Sequence, residues 1–340
     1  MTRESLRGLI HLKTAPTQGT EAGRLSTAFG ATDLLLLLMT LIWGSNFIAI
    51  KYSLVDLRPL AFNGLRFTIA SITLLIATLA IGENLKVPRA DAWRLLGLGI
   101  LANAIYQSLF ITGLAHTRTG NAALILSTTP LFTAVISRLR RQEYFTTRGV
   151  TGLLLAFAGI VLIILSGRSA VGFGTTIYGD CLLIVSTLCW SLYTVGAKPM
   201  VNKHGAMKAT TLMMLTGTPV FLLVCARALI SQDWAMIRPV AWAGLIYSAL
   251  LAIALAHFIW NYGVRKIGST RTALYSNITP IIAMLIAWPA LGEVPAVGQL
   301  LGAVIIFVGL YFVRSGMYAV QPEIARVEEL EEVSLTPGKH

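Results

Sequence analysis

Residues 123–143 read ALILSTTPLFTAVISRLRRQE, and residues 273–293 read ALYSNITPIIAMLIAWPALGE. An offset of 150 lays Ala123 on Ala273, Leu124 on Leu274, Thr129-Pro130 on Thr279-Pro280 and Glu143 on Glu293. The same offset carries outward from the two stretches. Gly113 meets Gly263, and Gly152, Phe157 and Gly159 meet Gly302, Phe307 and Gly309. Nearer the N-terminus an offset of 147 pairs Trp43 with Trp190 and Lys51 with Lys198. Prolines, glycines and a glutamate recurring in order indicate a duplicated chain.

The duplicated material is apolar. Of 340 residues, 55% are hydrophobic and only 12% charged, and the mean hydropathy is +0.72. A soluble domain carries about 25% charged residues, because water must be faced. This composition excludes a soluble enzyme, a disordered chain and a coiled coil. A membrane-spanning helix needs about 20 mostly apolar residues with every backbone amide satisfied internally. Ten stretches meet that need, near 34–51, 60–81, 94–115, 120–137, 149–166, 177–197, 208–227, 239–262, 271–290 and 296–313. Each repeat then holds five spans, and an odd number inserts the second copy upside down. The expected fold is an all-α integral membrane protein of ten transmembrane helices, arranged as two inverted five-helix repeats. Its parts are a tail at 1–32, a first repeat at 33–166, a second at 177–314 and a tail at 315–340.

The net charge of +12 is spread between apolar runs rather than gathered in a patch, which suits a membrane surface and not nucleic acid. Lys and Arg on the N-terminal side of the membrane outnumber those on the other about three to one, placing both termini in the cytoplasm. The polar segment 1–32 has no apolar core, so no cleavable signal is expected. Cys181, Cys189 and Cys225 lie in apolar segments without metal-ligand or redox spacing, and read as small buried hydrophobes. No metal and no cofactor is expected.

The two prolines are the most informative local feature. Pro130 follows Asn121, Ser127, Thr128 and Thr129, and Pro280 follows Tyr275, Ser276, Asn277 and Thr279. Each removes one helical hydrogen bond and frees the carbonyl four residues back, at Leu126 and Ser276. Such interruptions either line a cavity or are packing kinks repaired by neighbouring hydroxyls; doubled, they mark a binding site in carriers. Polar and aromatic side chains recur at helical spacing in other spans. Trp43 and Asn46 lie in the first, and Asn103, Tyr106 and Gln107 in the third. Trp190 and Tyr193 lie in the sixth, and His257, Trp260 and Asn261 in the eighth. Amides and imidazoles deep in a span face an interior or an aqueous path. The residues Trp43, Asn46, Asn103, Tyr106, Gln107, Trp190, Tyr193, His257, Asn261, Tyr275 and Asn277 are therefore the candidate solute-binding set. Arg66, about six residues into the second span and near 10 Å deep at 1.5 Å per residue, reads as an anion or gate contact, or as a side chain snorkelling outward. His257 could relay protons or sit with a fixed hydrogen bond.

At these residues the chain resembles the drug/metabolite transporter superfamily, in its EamA-like ten-span branch. The matching stretches are Leu41–Lys51, Arg66-Phe67, Ser127–Pro130, Glu143, Gly152 and Gly159. In the second half they are Cys189-Trp190, Lys198, Asn277–Pro280, Leu291-Gly292-Glu293 and Gly302. The resemblance covers about 34–314. It departs where Ser191 stands opposite Gly44 and Met213 opposite Arg66, so any role of Arg66 is not shared between halves. It implies a central cavity built from the first, third, fourth, sixth, eighth and ninth spans. It also implies a secondary active transporter of the inner (plasma) membrane, exporting or exchanging a metabolite, amino acid or drug-like solute by alternating access. A proton or a counter-solute would be the coupling partner, and a homodimer the candidate assembly. The rival classes are an integral-membrane enzyme or lipid-handling protein, for which the chain offers only His257 and isolated carboxylates such as Asp180, and a channel.

Overall fold

A computed structural model describes residues 30–116, 122, 125–140, 146–166, 177–291 and 297–316. Among these residues there is helix and no strand. The helices are α1 (Ala31–Ser53), α2 (Pro59–Ala80), α3 (Arg89–Gly99), α4 (Tyr106–Ala115), α5 (Thr129–Leu139), α6 (Thr147–Ser166) and α7 (Ile177–His204). They continue as α8 (Ala206–Ile230), α9 (Pro239–Tyr247), α10 (Ala256–Ile267), α11 (Ser269–Tyr275), α12 (Ile278–Leu291) and α13 (Val297–Gly316). A π-helical turn, Ile100–Ile105, joins α3 to α4, and another, Ser248–Leu255, joins α9 to α10. At the offset of 150 these two turns fall on each other. Asn121, Glu143, Glu293 and both tails lie outside the described residues, as does the side chain of Asp180.

Local chemistry starts and stops these helices. Pro59 and Pro239 occupy the first helical positions of α2 and α9, where a missing N–H costs nothing. The Asp33 carboxylate accepts from the Gly30 amide at 2.8 Å and ties down the start of α1. The α7–α8 and α10–α11 reversals turn on Gly205 (φ +83°) and Gly268 (φ +87°), a conformation a side chain would strain. Among the described residues, six helices are long and apolar enough to cross a membrane: Ala31–Ile50, Pro59–Ala80, Arg89–Ala115, Cys181–His204, Ala206–Ile230 and Pro239–Ile267. Several run past the expected limits. The third begins at Arg89 and the sixth continues to His204, and there Asp91 meets Lys203 and His204.

The stretches expected as the fourth and ninth spans are each interrupted by a turn. Ser127 and Thr128 leave the helix before α5, and Ser276 and Asn277 leave it between α11 and α12. Pro130 and Pro280 thus stand in the first turns of α5 and α12 rather than inside continuous helices. The carbonyls at the two breaks take local donors. Thr129 Oγ1 donates to the Leu126 carbonyl at 2.5 Å, and Thr128 Oγ1 to that of Ile125 at 2.6 Å. Ser276 Oγ donates to the Ala273 carbonyl at 2.6 Å, and the Thr279 amide to that of Ser276 at 3.1 Å. Pro130 is buried and Pro280 partly buried.

Surface and interior are inverted relative to a soluble protein. Leu34, Ile76, Leu154, Leu223 and Val304 are exposed, whereas Asn63, Ser71, Thr133, Thr218 and Asn261 are buried. Some interior hydroxyls bond back to their own helix: Thr194 returns its hydrogen bond to the Trp190 carbonyl at 2.8 Å.

Among the helix pairs that join the two halves, three match segments of the duplicated material. Along α2 and α8, Gly64 packs on Cys225, Ser71 Oγ meets Thr218 Oγ1 at 2.8 Å, and Thr78 Oγ1 meets Thr211 Oγ1 at 2.7 Å. Each advance of seven residues on α2 matches a retreat of seven on α8, so the two helices run antiparallel. Along α6 and α13 a Cβ at Gly152 would stand 2.6 Å from the Gly309 oxygen, and one at Gly159 2.6 Å from the Gly302 oxygen. Small residues here let backbones touch, again antiparallel. The third pair is α5 against α11, the halves of the broken spans that cross between the repeats.

Candidate functional site

The wide turn in Ser248–Leu255 positions the first part of the site. A π turn leaves carbonyls poorly matched to their own helix and open to outside donors. The Ala252 carbonyl takes the indole N–H of Trp43 at 2.9 Å, across 209 residues of sequence. Trp43 is thereby held between Trp190, His257 and Trp260, at ring-centroid separations of 6.3, 6.3 and 5.4 Å. Trp190 contacts Tyr106 at 4.8 Å, Tyr193 at 4.9 Å, Trp260 at 5.3 Å and His257 at 5.4 Å. Offset partners Trp43 and Trp190 meet directly, with four spans contributing to one aromatic cluster.

Beside the cluster stands a polar group on α2. Arg66 is 2% exposed; its guanidinium lies over the rings of Phe62 at 5.2 Å and Phe67 at 5.8 Å. Its Nη1 donates to Ser248 Oγ at 2.9 Å, in the same π turn that holds Trp43. Arg66 is therefore packed in the interior and does not snorkel. Phe67 reaches on to the His257 ring at 6.2 Å, linking the guanidinium to the aromatic cluster. One turn before Arg66, Asn63 donates from Nδ2 to Gln107 Oε1 at 3.1 Å.

Several buried polar atoms here have no hydrogen-bond partner: Asn63 Oδ1, Arg66 Nε and both ring nitrogens of His257. The backbone of Ala252 and Ile253 lies alongside the His257 ring without closing a well-shaped hydrogen bond. Asn46 Oδ1 and Asn277 Oδ1 are likewise buried and unpaired. Such atoms are costly unless something completes them.

The structure brings Trp43, Tyr106, Trp190, Tyr193 and His257 into one cluster, with Gln107 at its edge through Asn63. It assigns other candidates elsewhere. Asn103 braces the first π turn by donating to the Met213 carbonyl on α8 at 3.0 Å. Asn261 Nδ2 donates to the Tyr193 hydroxyl at 2.7 Å and to Thr210 Oγ1 at 2.9 Å, closing the cluster toward the α7–α8 turn. The Tyr275 hydroxyl bonds to Asp33 at the start of α1. Trp260, Phe67, Asn63 and Ser248 complete the site without having been in the candidate set. Trp260 was legible as the neighbour of His257, and Asn63 as one turn from Arg66. Ser248 carried no signal, since its role depends on the π turn. Among the described residues no group of His, Cys, Asp and Glu could hold a metal ion.

The EamA-like transporter family model matches this chain twice, over residues 30–165 and 177–315. Among curated relatives, an uncharacterized transporter of Archaeoglobus fulgidus is 31% identical, over 82% of this chain and 96% of its own length. The uncharacterized transporter YyaM of Bacillus subtilis is 29% identical, over 82% and 91%. A protein of Streptantibioticus cattleyicolor named as a probable terminal-alkyne amino-acid exporter is 27% identical, over 82% and 92%. A solved crystal structure superposes with a TM-score of 0.73 at 18% identity, over 86% of this chain and all of its own, which speaks to the fold alone.

Proposed function

This chain belongs to the EamA-like transporter family and is a multi-pass membrane protein, and we propose that it is a secondary carrier moving a small organic solute by alternating access. Its ten spans form two inverted repeats, 33–166 and 177–314, in the inner membrane with both termini cytoplasmic. The solute binds where the repeats meet, among Trp43, Tyr106, Trp190, His257 and Trp260, with Gln107, Asn46 and Asn277 as polar contacts. Pro130 and Pro280 keep the fourth and ninth spans broken beside it. The carrying observation is the meeting of offset partners: Ser71 on Thr218, Trp43 on Trp190, Gly152 and Gly159 on the partners of each other. Antiparallel contacts between duplicated segments are what a two-fold axis in the membrane plane produces, and such symmetry supports two equivalent openings to opposite sides. The paired family matches and the transporter names of relatives support the same reading.

The test is counterflow in liposomes preloaded with single amino acids or nucleosides, with and without a pH gradient. Saturable exchange of at least one labelled solute is expected. Absence of flux across a broad panel overturns the carrier; unitary currents without counterflow favour a channel. Reporter fusions at both termini check the orientation.

A further inference from the structure

We infer that Arg66 is the counter-cation of a carboxylate on the transported solute, and that the solute's body is apolar or aromatic. This rests on the carrier reading and names the chemistry the site selects.

A guanidinium offers five N–H donors in a rigid fork. Arg66 spends one of them, on the neutral Ser248 hydroxyl, and its Nε has no acceptor. Among the described residues no carboxylate pairs with it, whereas the described ion pairs are complete at 2.7–2.9 Å. Burying a cation without a counter-charge is severely unfavourable, whereas a fork-shaped carboxylate contact restores two parallel charge-assisted hydrogen bonds. The groups around it fit an anion with one charge. Asn63 and Gln107 are neutral amides bonded to each other, His257 has two nitrogens free of good partners, and Tyr106 lies within electrostatic range of the guanidinium. Phe62 and Phe67 flank the guanidinium, and beyond Phe67 the Trp43 and Trp190 rings surround His257; these rings accept an apolar body and disfavour a multiply charged one. A phosphate dianion would need a second cation, which these neighbours do not supply. The partner of Arg66 by the offset is Met213, so the protein places a single anion site on one side of an otherwise paired interior.

The probes are phenylacetate, indole-3-acetate, L-phenylalanine and L-tryptophan, each compared with its amide, read by thermal unfolding of the purified full chain in detergent. At least one acid should raise Tm by several degrees, while its amide, equal in shape and lacking the charge, gives less than a quarter of the shift. Arg66→Gln should weaken the apparent affinity for that acid at least tenfold, and Arg66→Lys by less. The acid–amide comparison needs no variant, so it decides the matter even where Arg66→Gln fails to fold. Equal shifts from acids and amides, no shift from any acid, or an undiminished shift in Arg66→Gln would each overturn the inference. Liposome flux separates the two readings. Stabilisation by an acid without counterflow sinks the carrier and keeps the site; counterflow indifferent to the carboxylate does the reverse.

Discussion

At the scale of single residues, glycines distinguish packing from mere composition. A Cβ at Gly152 would stand 2.5 Å from the Val313 nitrogen and 2.6 Å from the Gly309 oxygen. Both are backbone atoms and cannot swing aside. Gly152→Ala should therefore cost about 1–3 kcal/mol through forced separation of α6 and α13, read as a lower Tm in detergent. Gly97, inside α3, has nothing within 4 Å of such a Cβ, so Gly97→Ala should be neutral or stabilise by up to about 1 kcal/mol. Trp43→Phe tests the π-turn contact. It keeps the ring but leaves the Ala252 carbonyl without its indole donor, at an expected cost of about 1 kcal/mol. A Tm equal to wild type would mean that the contact contributes nothing. Residue identity alone made much of this site legible: Trp43, Trp190 and His257 stood out as aromatic or polar groups in apolar spans. Ser248 and Ala252 did not, because an ordinary serine and alanine gain their roles from a local widening of the helix that no residue type announces.

At the scale of elements, the apolar runs displayed the six described helices long and apolar enough to cross a membrane, and the offsets displayed the duplication, since lipid demands long helices and duplication preserves punctuation. The lengths were less legible. Arg89 and His204 are helical because backbone pairing continues past the apolar run, and hydropathy cannot see where it stops. The breaks before Pro130 and Pro280 were legible only as lost hydrogen bonds; the structure turns them into two separate helices closed by threonine and serine hydroxyls. Their consequence is testable. With alanine at 280, an amide becomes available to the Ser276 carbonyl, and α11 can run continuously into α12. First-turn amides have no obligatory partner, so Pro280→Ala should change stability by no more than about 1 kcal/mol. Counterflow should nonetheless fall several-fold, because straightening the span moves Asn277 off the break. Unaltered flux with an unaltered Tm would remove the break from the mechanism.

At the scale of the whole molecule, the halves are tied at both ends by ion pairs. Asp56, between α1 and α2, accepts from Arg238 Nε at 2.9 Å, and Gln232 braces the same junction by accepting from the Arg58 amide at 2.8 Å. Asp91, at the start of α3, meets Lys203 at 2.7 Å and His204 at 2.8 Å at the end of α7. The 22 residues of α2, about 33 Å of helix, separate the two junctions, so they lie at opposite ends of the bundle. Each joins first half to second. Their strengths differ with burial. Asp91 is 3% exposed, and Asp91→Asn should lower Tm by leaving two donors poorly matched. The Asp56 pair is open to solvent, and its signature is its pH dependence. Hydrogen bonding from Arg238 holds the Asp56 carboxyl below the usual carboxylate range. A depressed acid stabilises the fold at every pH above its unfolded value near 4 and loses that contribution as pH falls through the folded value. The Tm gap between wild type and Asp56→Asn should accordingly stay constant from pH 8 to pH 5 and close only as pH falls below about 4. A gap that instead narrowed between pH 7 and pH 5 would assign the effect to a histidine, and not to this pair.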